Sequence, residues 1–506
     1  MPYDGGGAFD DGMPGMTSTL LTARGANRRG LVLVVLCFVQ FMLILDDNVV
    51  SIALPSIRDD LGFTSAGLAW VVNAYFLAFG GLLLLFGRMA DILGRRRIFL
   101  IGVTLFSGAG LACGLAQEPW QLILGRLVQG AGSAMASPAA LSLITLLYPS
   151  DQERAKALGI WGGIAGLGST FGLVISGALT GLASWRWIFF INLPVAVVAL
   201  ALLPRLIDES RATKRTRLDV PGAVLGTLAV VSLVYGLLQA GDQGWHHITS
   251  YGPLILAVAL AAAFVAVESR MPDPLVSLEF LSVRTRAVAN VATLIFSAAL
   301  FAMAFLLMIH LQTVVGYGPL KAGFAYMPFC AGLLVGMWGA SRTVLKFGFR
   351  PSLMVSFLIT AAGFVMMSGI EVSDSYVTGI LPGMLLTSLG CGLSLPVLSM
   401  AAVSGTTEEN AGLGSALFSS VQQIGGASGV AVLVMLATRR TDSVSESKDS
   451  VHAATEGYSF GMLIAAGFVV VGGIIVATLL GKVSAGAEAP QPEEHETARQ
   501  LGETAR

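Results

Sequence analysis

The sequence predicts an all-α integral membrane protein of fourteen transmembrane helices, and three observations carry that prediction. Of the 506 residues, 55% are hydrophobic and only 12% charged, about half the charged share of a soluble domain. The mean hydropathy is +0.77. The apolar residues also fall in runs long enough to cross a bilayer core, which takes about 20 residues of helix. Fourteen such spans use roughly 280 residues and leave about 220 for connections and tails. A water-soluble globular domain is excluded.

Taken in order, residues 1–29 hold Gly, Asp, Ser and Thr and end in Ala23-Arg24-Gly25-Ala26-Asn27-Arg28-Arg29. They lack the short apolar core and small-residue cleavage site of a secretory signal, and read as a disordered cytoplasmic tail. Six apolar runs follow at 31–54, 68–88, 98–117, 120–147, 157–182 and 187–204, an N-terminal bundle over 30–205. Residues 206–286 hold a basic loop, two central helices at 219–240 and 251–268, and a segment with Met271-Pro272-Asp273-Pro274. The last six runs, at 288–311, 323–342, 352–370, 376–403, 411–437 and 459–481, form a C-terminal bundle over 287–481, and 482–506 reads as a disordered cytoplasmic tail. The organisation is six, two, six. None of the runs alternates as a barrel strand does, and backbone groups left unpaired in hydrocarbon restrict them to helices.

Orientation follows from the basic residues. With the N-terminus inside, the inner segments carry 23 of the 30 Lys and Arg and the outer segments 6, while Arg126 lies within a span. That asymmetry places both termini in the cytoplasm and requires an even number of spans. A faint internal repeat relates Gly87–Arg96, after the second span, to Ser341–Arg350, after the second span of the last six: an Arg, a Gly and a final Arg coincide. The net charge of −1 gives no pull toward nucleic acid. Cys37, Cys113, Cys330 and Cys391 lie in apolar runs without CxxC spacing and read as small core residues, with no metal site.

Few polar residues interrupt the spans, and these carry the chemistry. Asp46 and Asp47 lie in the first, where a carboxylate at the centre costs ~2.5–3.5 kcal/mol and is usually functional. Neighbouring helical side chains point ~100° apart, so the two face different surroundings. Asp46 and Arg126 sit at matching depths, about 12 and 11 Å from the outer ends of their helices. Together they make either a proton-coupling site, in which proton and substrate compete for the carboxylate, or a permanent structural ion pair; Asp47 is the alternative carboxylate for that coupling role.

Asp91, at a helix C-terminus that disfavours an anion, needs a partner. With Gly87, Arg88, Gly94, Arg95 and Arg96 it forms either a gating latch or a simple basic anchor, with Gly94 supplying a positive φ and Arg95–Arg97 facing headgroups and cytosol. Gly162, Gly166, Gly168, Gly172 and Gly177 line the fifth span as a close-packing or sliding surface. Asn73, Gln422 and Gln423 either bond between helices or touch substrate. His310 reads as an interfacial residue before a proton relay. There is no GxxxxGK[ST], HExxH or GxSxG and no paired nucleophile and base, so neither nucleotide-driven transport nor an enzyme is indicated.

With these residues in place, the sequence resembles the major facilitator superfamily, and within it the fourteen-helix drug:proton antiporters, over roughly residues 30 to 480. Leu45-Asp46-Asp47-Asn48-Val49-Val50-Ser51-Ile52-Ala53-Leu54-Pro55 resembles the first-helix motif LDxTxVNxALP, with Asn48 and Ser51 replacing Thr and Asn. Gly87–Arg97 matches the superfamily loop GxxxDxxGRRR, Leu122–Gly132 the fourth-helix motif around its Arg, and Trp185–Pro194 is also typical. The fifth-helix motif normally ends GPxxGG. Here Gly172-Leu173-Val174-Ile175-Ser176-Gly177 lacks the Pro and the first Gly of the pair, so the bend and the direction of coupling do not follow from the resemblance.

The resemblance implies a multi-pass cell-membrane transporter, a monomer, exporting small lipophilic drugs or antibiotics, cationic or neutral, by alternating access. It would be driven by protons and need no cofactor, with Asp46 protonated from outside, Arg126 tuning it and the Asp91 loop holding the outward-facing state. Two other readings stay open: a proton-coupled transporter of one metabolite, by export or symport, and a membrane sensor that has kept the fold without transport.

Overall fold

The computed structural model describes residues 15–480, apart from 149, 211–217, 272–273, 277, 407 and 446–448. The C-terminal tail and most of the basic loop therefore lie outside the described residues. The described chain is helical, without strands, and crosses its own thickness fourteen times: α1 Gly15–Leu61, α2 Ser65–Leu93, α3 Arg95–Gly114, α4 Pro119–Leu147, α5 Asp151–Leu182, α6 Trp187–Leu206, α7 Val220–Gln243, α8 Ile248–Glu268, α9 Arg284–Thr313, α10 Pro319–Phe347, α11 Phe349–Ser368, α12 Tyr376–Ala402, α13 Glu408–Ser445 and α14 Ser450–Leu479. Thirteen are long and apolar enough to cross a bilayer; α5 is apolar over Phe171–Leu182 among its described residues. Residues 15–29, expected as tail, belong to α1 instead: no Pro interrupts them, and a helix nucleated in the apolar run extends one residue at a time.

Both six-helix halves pack alike. In the first, α2 and α3 lie on α4, and α1 on α5 and α6; in the second, α10 and α11 lie on α12, and α9 on α13 and α14. The faint repeat is real at its hinge: Gly94 (φ 117°) joins α2 to α3 and Gly348 (φ 79°) joins α10 to α11. The halves meet along two seams related by the same repeat, α2 on α13 and α5 on α10. The hairpin of α7 and α8 lies outside both halves, with α7 against α2 and α13, so it covers the first seam. At one end of the bundle Arg186 and Trp185 donate to Asp60 at the foot of α1, at 2.6 and 3.0 Å, and hold its carboxyl below the usual carboxylate range.

The α5 seam is closed toward that Arg186 end. A Cβ on Gly177 would stand 2.6 Å from the carbonyl oxygen of Pro319, and one on Gly323 2.8 Å from that of Leu173. Gly159 lies eighteen residues, or about five turns, before Gly177 and so on the same face. Around Gly159 and Gly162 nothing lies within 4 Å of a would-be Cβ. The expected glycine stripe is thus split. Gly168 and Gly172 pack on Ile44 and Leu45 of α1, Gly177 closes on α10, and Gly162 faces open space; the surroundings of Gly166 lie outside the described residues. On that face α5 stands clear of its neighbours toward the Gly94 end. Without the motif Pro, α5 runs unbroken, and Ser176, standing where the motif has Gly, donates to the carbonyl oxygen of Val49 at 2.5 Å.

Gly177→Val therefore wedges α5 from α10 and should raise the maleimide labelling rate of a cysteine placed at Leu320 several-fold. Gly162→Ala should leave that rate unchanged.

Candidate functional site

The strongest polar constellation lies inside the first half. Asp46, on the face of α1 turned toward α4, is 1% exposed, and Arg126 of α4 is fully buried. Arg126 Nη1 donates to Asp46 Oδ2 at 2.5 Å and to Gln129 Oε1 at 3.0 Å; Gln129 stands one turn further along α4. Gln129 Nε2 and Asn192 Nδ2 donate to Asp46 Oδ1 at 3.2 and 3.0 Å. Arg126 Nε donates to the carbonyl oxygen of Val71 at 3.1 Å, and its guanidinium lies 4.3 Å from the ring centroid of Tyr75. Tyr75 in turn is fixed by Ser133 at 2.9 Å.

Four helices thus converge on one carboxylate. Asn192 reaches it because α6 is interrupted at Ile191: Pro194 has no N–H for the carbonyl of Phe190, and the main segment starts afresh at Asn192. A buried pair with both partners fully bonded offsets its desolvation, while removal of one partner strands a charge. Gln129, Asn192 and Tyr75 escaped the sequence reading of the site. The available signal for Gln129 and Asn192 was their place within the Leu122–Gly132 and Trp185–Pro194 motifs, and for Tyr75 its hydroxyl in an otherwise largely apolar second span.

Asp47 looks elsewhere. It is half-buried, and its Oδ1, though occluded, has no hydrogen-bond partner. Gln40 stands two turns earlier on the same stripe of α1 and also has a lone, unbonded oxygen. Asn73 is wholly buried, and neither polar atom of its side chain is bonded, so it does not form the interhelical bond considered for it. Gln423 lies buried in the α2–α13 seam against Gly80, with Gln422 half-buried beside it. His310 is not interfacial: it is 4% exposed and stacked on Tyr458 with centroids 4.3 Å apart, beside a cavity of about 320 Å³.

At the Gly94 end, the expected partner of Asp91 is Arg95, whose Nε and Nη2 lie at 2.9 and 2.8 Å. With Asp91 40% exposed, this pair contributes little stability by itself. Arg88 Nη2 donates to the carbonyl oxygen of Pro274 at 2.6 Å. Arg95 and Arg96 do not face headgroups as expected. Arg96 donates to the carbonyl oxygen of Ile207 at 2.8 Å, because the C-terminus of α6 presents unpaired carbonyls there. Glu209 accepts from the backbone N–H groups of Arg96 and Arg97, both at 3.1 Å, and so caps α3. A Cβ on Gly94 would collide with Glu209, and Gly87 faces Pro138. In this conformation the motif binds its own half and the central segment. All four cysteines are buried and free, and the described residues hold no metal-ligand cluster.

Twelve apolar helices in two like halves, a two-helix hairpin outside them and a charged pair locked inside one half define a polytopic membrane protein of the transporter class. The model of the Major Facilitator Superfamily matches residues 36–430, and the chain belongs to that superfamily. Within it the chain sits with relatives named for drug and antibiotic resistance or export. It is similar to the puromycin resistance protein pur8 of Streptomyces alboniger, 37% identical over 89% of this chain and 90% of that protein. It is also similar to the lincomycin resistance protein of Streptomyces lincolnensis, 37% identical over 82% of this chain and 85% of that one. Among solved structures, a bacterial homologue of the human lysosomal transporter Spinster, inward-facing and unoccupied, shares the fold with a TM-score of 0.64 at 16% identity, over 89% of this chain and 96% of that one.

Breaking the pair from either side, by Asp46→Ala or Arg126→Ala, should cost about 3–5 kcal/mol. The double variant should cost clearly less than the sum, as read by thermal unfolding in detergent. Gly94→Ala forces a side chain into a positive-φ position beside Glu209 and should lower stability by about 1–3 kcal/mol in the same assay.

Proposed function

We propose that the chain exports lipophilic drugs or antibiotics by proton-driven alternating access, with both termini and the Gly94 end in the cytoplasm. The relatives named for puromycin and lincomycin resistance support the cargo class. The observation that carries the coupling is the Asp46–Arg126 pair: a carboxylate that neutralises on taking a proton, held against a guanidinium in a sealed interior. Protonation of Asp46 removes the charge that Arg126 opposes, while Gln129, bonded to both, and Asn192 keep hydrogen bonds to the neutral acid.

The consequence travels along α1. Six residues beyond Asp46, the carbonyl oxygen of Ile52 accepts from Gln312 of α9 at 3.0 Å, and the Ile52 side chain meets Gly323 of α10. Repacking α1 around a neutralised Asp46 therefore acts on the contact between halves. An uncompensated buried charge is worth about 3–5 kcal/mol, enough to move a two-state equilibrium by roughly 10²–10⁴-fold. Because Asp46 is sealed in this conformation, it exchanges its proton only as the halves rock. Asp47, Asn73, Gln422 and Gln423, none of which bonds to the pair, are assigned to the cargo side, Asp47 favouring cations. The second reading, symport or export of one metabolite, draws on Leu173 and Ser176, which replace the antiporter-motif residues.

Inside-out vesicles with an acidic interior and a pH dye should show proton efflux when lipophilic cations or neutral antibiotics are added. Asp46→Asn should abolish it. Efflux with one compound only would favour the metabolite reading, and flux untouched by Asp46→Asn would remove the pair from coupling altogether.

A further inference from the structure

The two central helices end in a buried carboxyl pair that the proposed cycle does not use. Asp219 caps the start of α7, where its Oδ1 accepts from the Gly222 N–H at 2.8 Å. Glu268 closes α8, where its Oε2 accepts from the Val276 N–H at 3.3 Å. Their exposures are 1% and 3%. The remaining oxygens, Asp219 Oδ2 and Glu268 Oε1, both crowd the point where a Cβ on Gly222 would stand, Oε1 at 2.8 Å from it. Each is occluded, and no donor reaches either. An apolar cluster of Leu85, Ala223 and Leu275, with Leu218 and Val276 packed on it, lies around the same helix ends.

Ionised carboxylates only accept, so two of them crowded together with no protein donor between them repel; a proton on one turns the contact into a hydrogen bond. The helix ends decide which carries it. The C-terminus of α8 disfavours an anion at Glu268, while the N-terminus of α7 favours one at Asp219. Of the described residues, the charges whose fields reach Glu268 are those of Asp219 and Arg88; Arg270 is exposed. Arg88 belongs to the Gly87–Arg97 motif and donates to the Pro274 carbonyl.

We propose that Asp219 and Glu268 form a second proton-binding site, distinct from Asp46–Arg126, which holds one proton as Glu268 O–H donating to the Asp219 carboxylate. Its loss to water places a second negative charge beside Arg88 and draws that guanidinium from Pro274, so the site reports proton activity at the Gly94 end to the foot of α2. The site stands whether or not the chain is an antiporter.

The test is infrared spectroscopy of the full chain in nanodiscs across a pH series. At neutral pH the wild type should show a protonated-carboxyl C=O band that is missing from both Glu268→Gln and Asp219→Asn, whose amides supply the needed donor; either variant suffices if the other fails to fold. In Arg88→Gln the band should persist to higher pH, since a cation that favours the ionised form is gone. The proposal falls if both variants keep every such band, if Arg88→Gln leaves its titration unmoved, or if Na⁺, K⁺ or Mg²⁺ at fixed pH removes it, which would make the site a cation site instead.

Discussion

A carboxylate buried among hydrocarbon must be matched, and that constraint organises the first half of the molecule. Asp46 on α1 requires Arg126 from α4, and the guanidinium in turn requires the Val71 carbonyl and the Tyr75 ring from α2. The second carboxylate oxygen takes Gln129 and Asn192, which brings in α6. Generic apolar packing tolerates small slides of one helix past another. Hydrogen bonds that fail beyond a few tenths of an ångström do not, so four helices are held in one register by a single side chain. The glycines at 130 and 132 complete the arrangement by letting α4 approach the backbones of α2 and α3.

The second half repeats the packing without repeating the charge. Where α1 carries Asp46, its counterpart α9 offers Ser297 and Thr293, both buried and neutral. The asymmetry has a mechanical meaning. One half holds a group whose charge can change, and the other serves as the body against which α1 pushes through Ile52 and Gln312. The seams differ as well. α5 and α10 meet through glycine and bare backbone, which separates with little loss of side-chain packing, whereas α2 and α13 are covered by α7, with Thr227 against Gly81 and Tyr235 beside Trp70.

Much of this was legible in the sequence. Long apolar runs, the basic asymmetry and the polar residues at matching depth lead to the helix count, the six-two-six order and the meeting of Asp46 with Arg126, because hydrocarbon allows few alternatives. Period alone resolved less. The ~100° between Asp46 and Asp47 says that they part company, but which turns toward α4 depends on how α1 is rolled, and that is fixed by Gly168 and Gly172 lying on Ile44 and Leu45. The glycine stripe showed where helices can approach, and no local signal tells which part of a seam is shut. Arg96 was misplaced because its partners, Glu209 and the end of α6, are more than a hundred residues away.

The central hairpin gives the fourteen-helix arrangement a physical rationale. Two spans inserted between the halves need only be apolar to satisfy the bilayer, and α8 meets that minimum, with most of its surface open to lipid. The ends of the hairpin do more. A passive tether has no use for two carboxyl groups withdrawn from water, since any pair of small polar residues would cap the same helices at lower desolvation cost. Asp219 and Glu268 are nonetheless buried together, beside the segment that receives Arg88 from the α2 motif. The hairpin braces one seam, and the segment that follows it is tied through Pro274 to Arg88 near the end of α2. The inserted helices therefore bear on the half that carries Asp46, and on the one helix, α2, that holds Arg126 and lines the α13 seam at the same time.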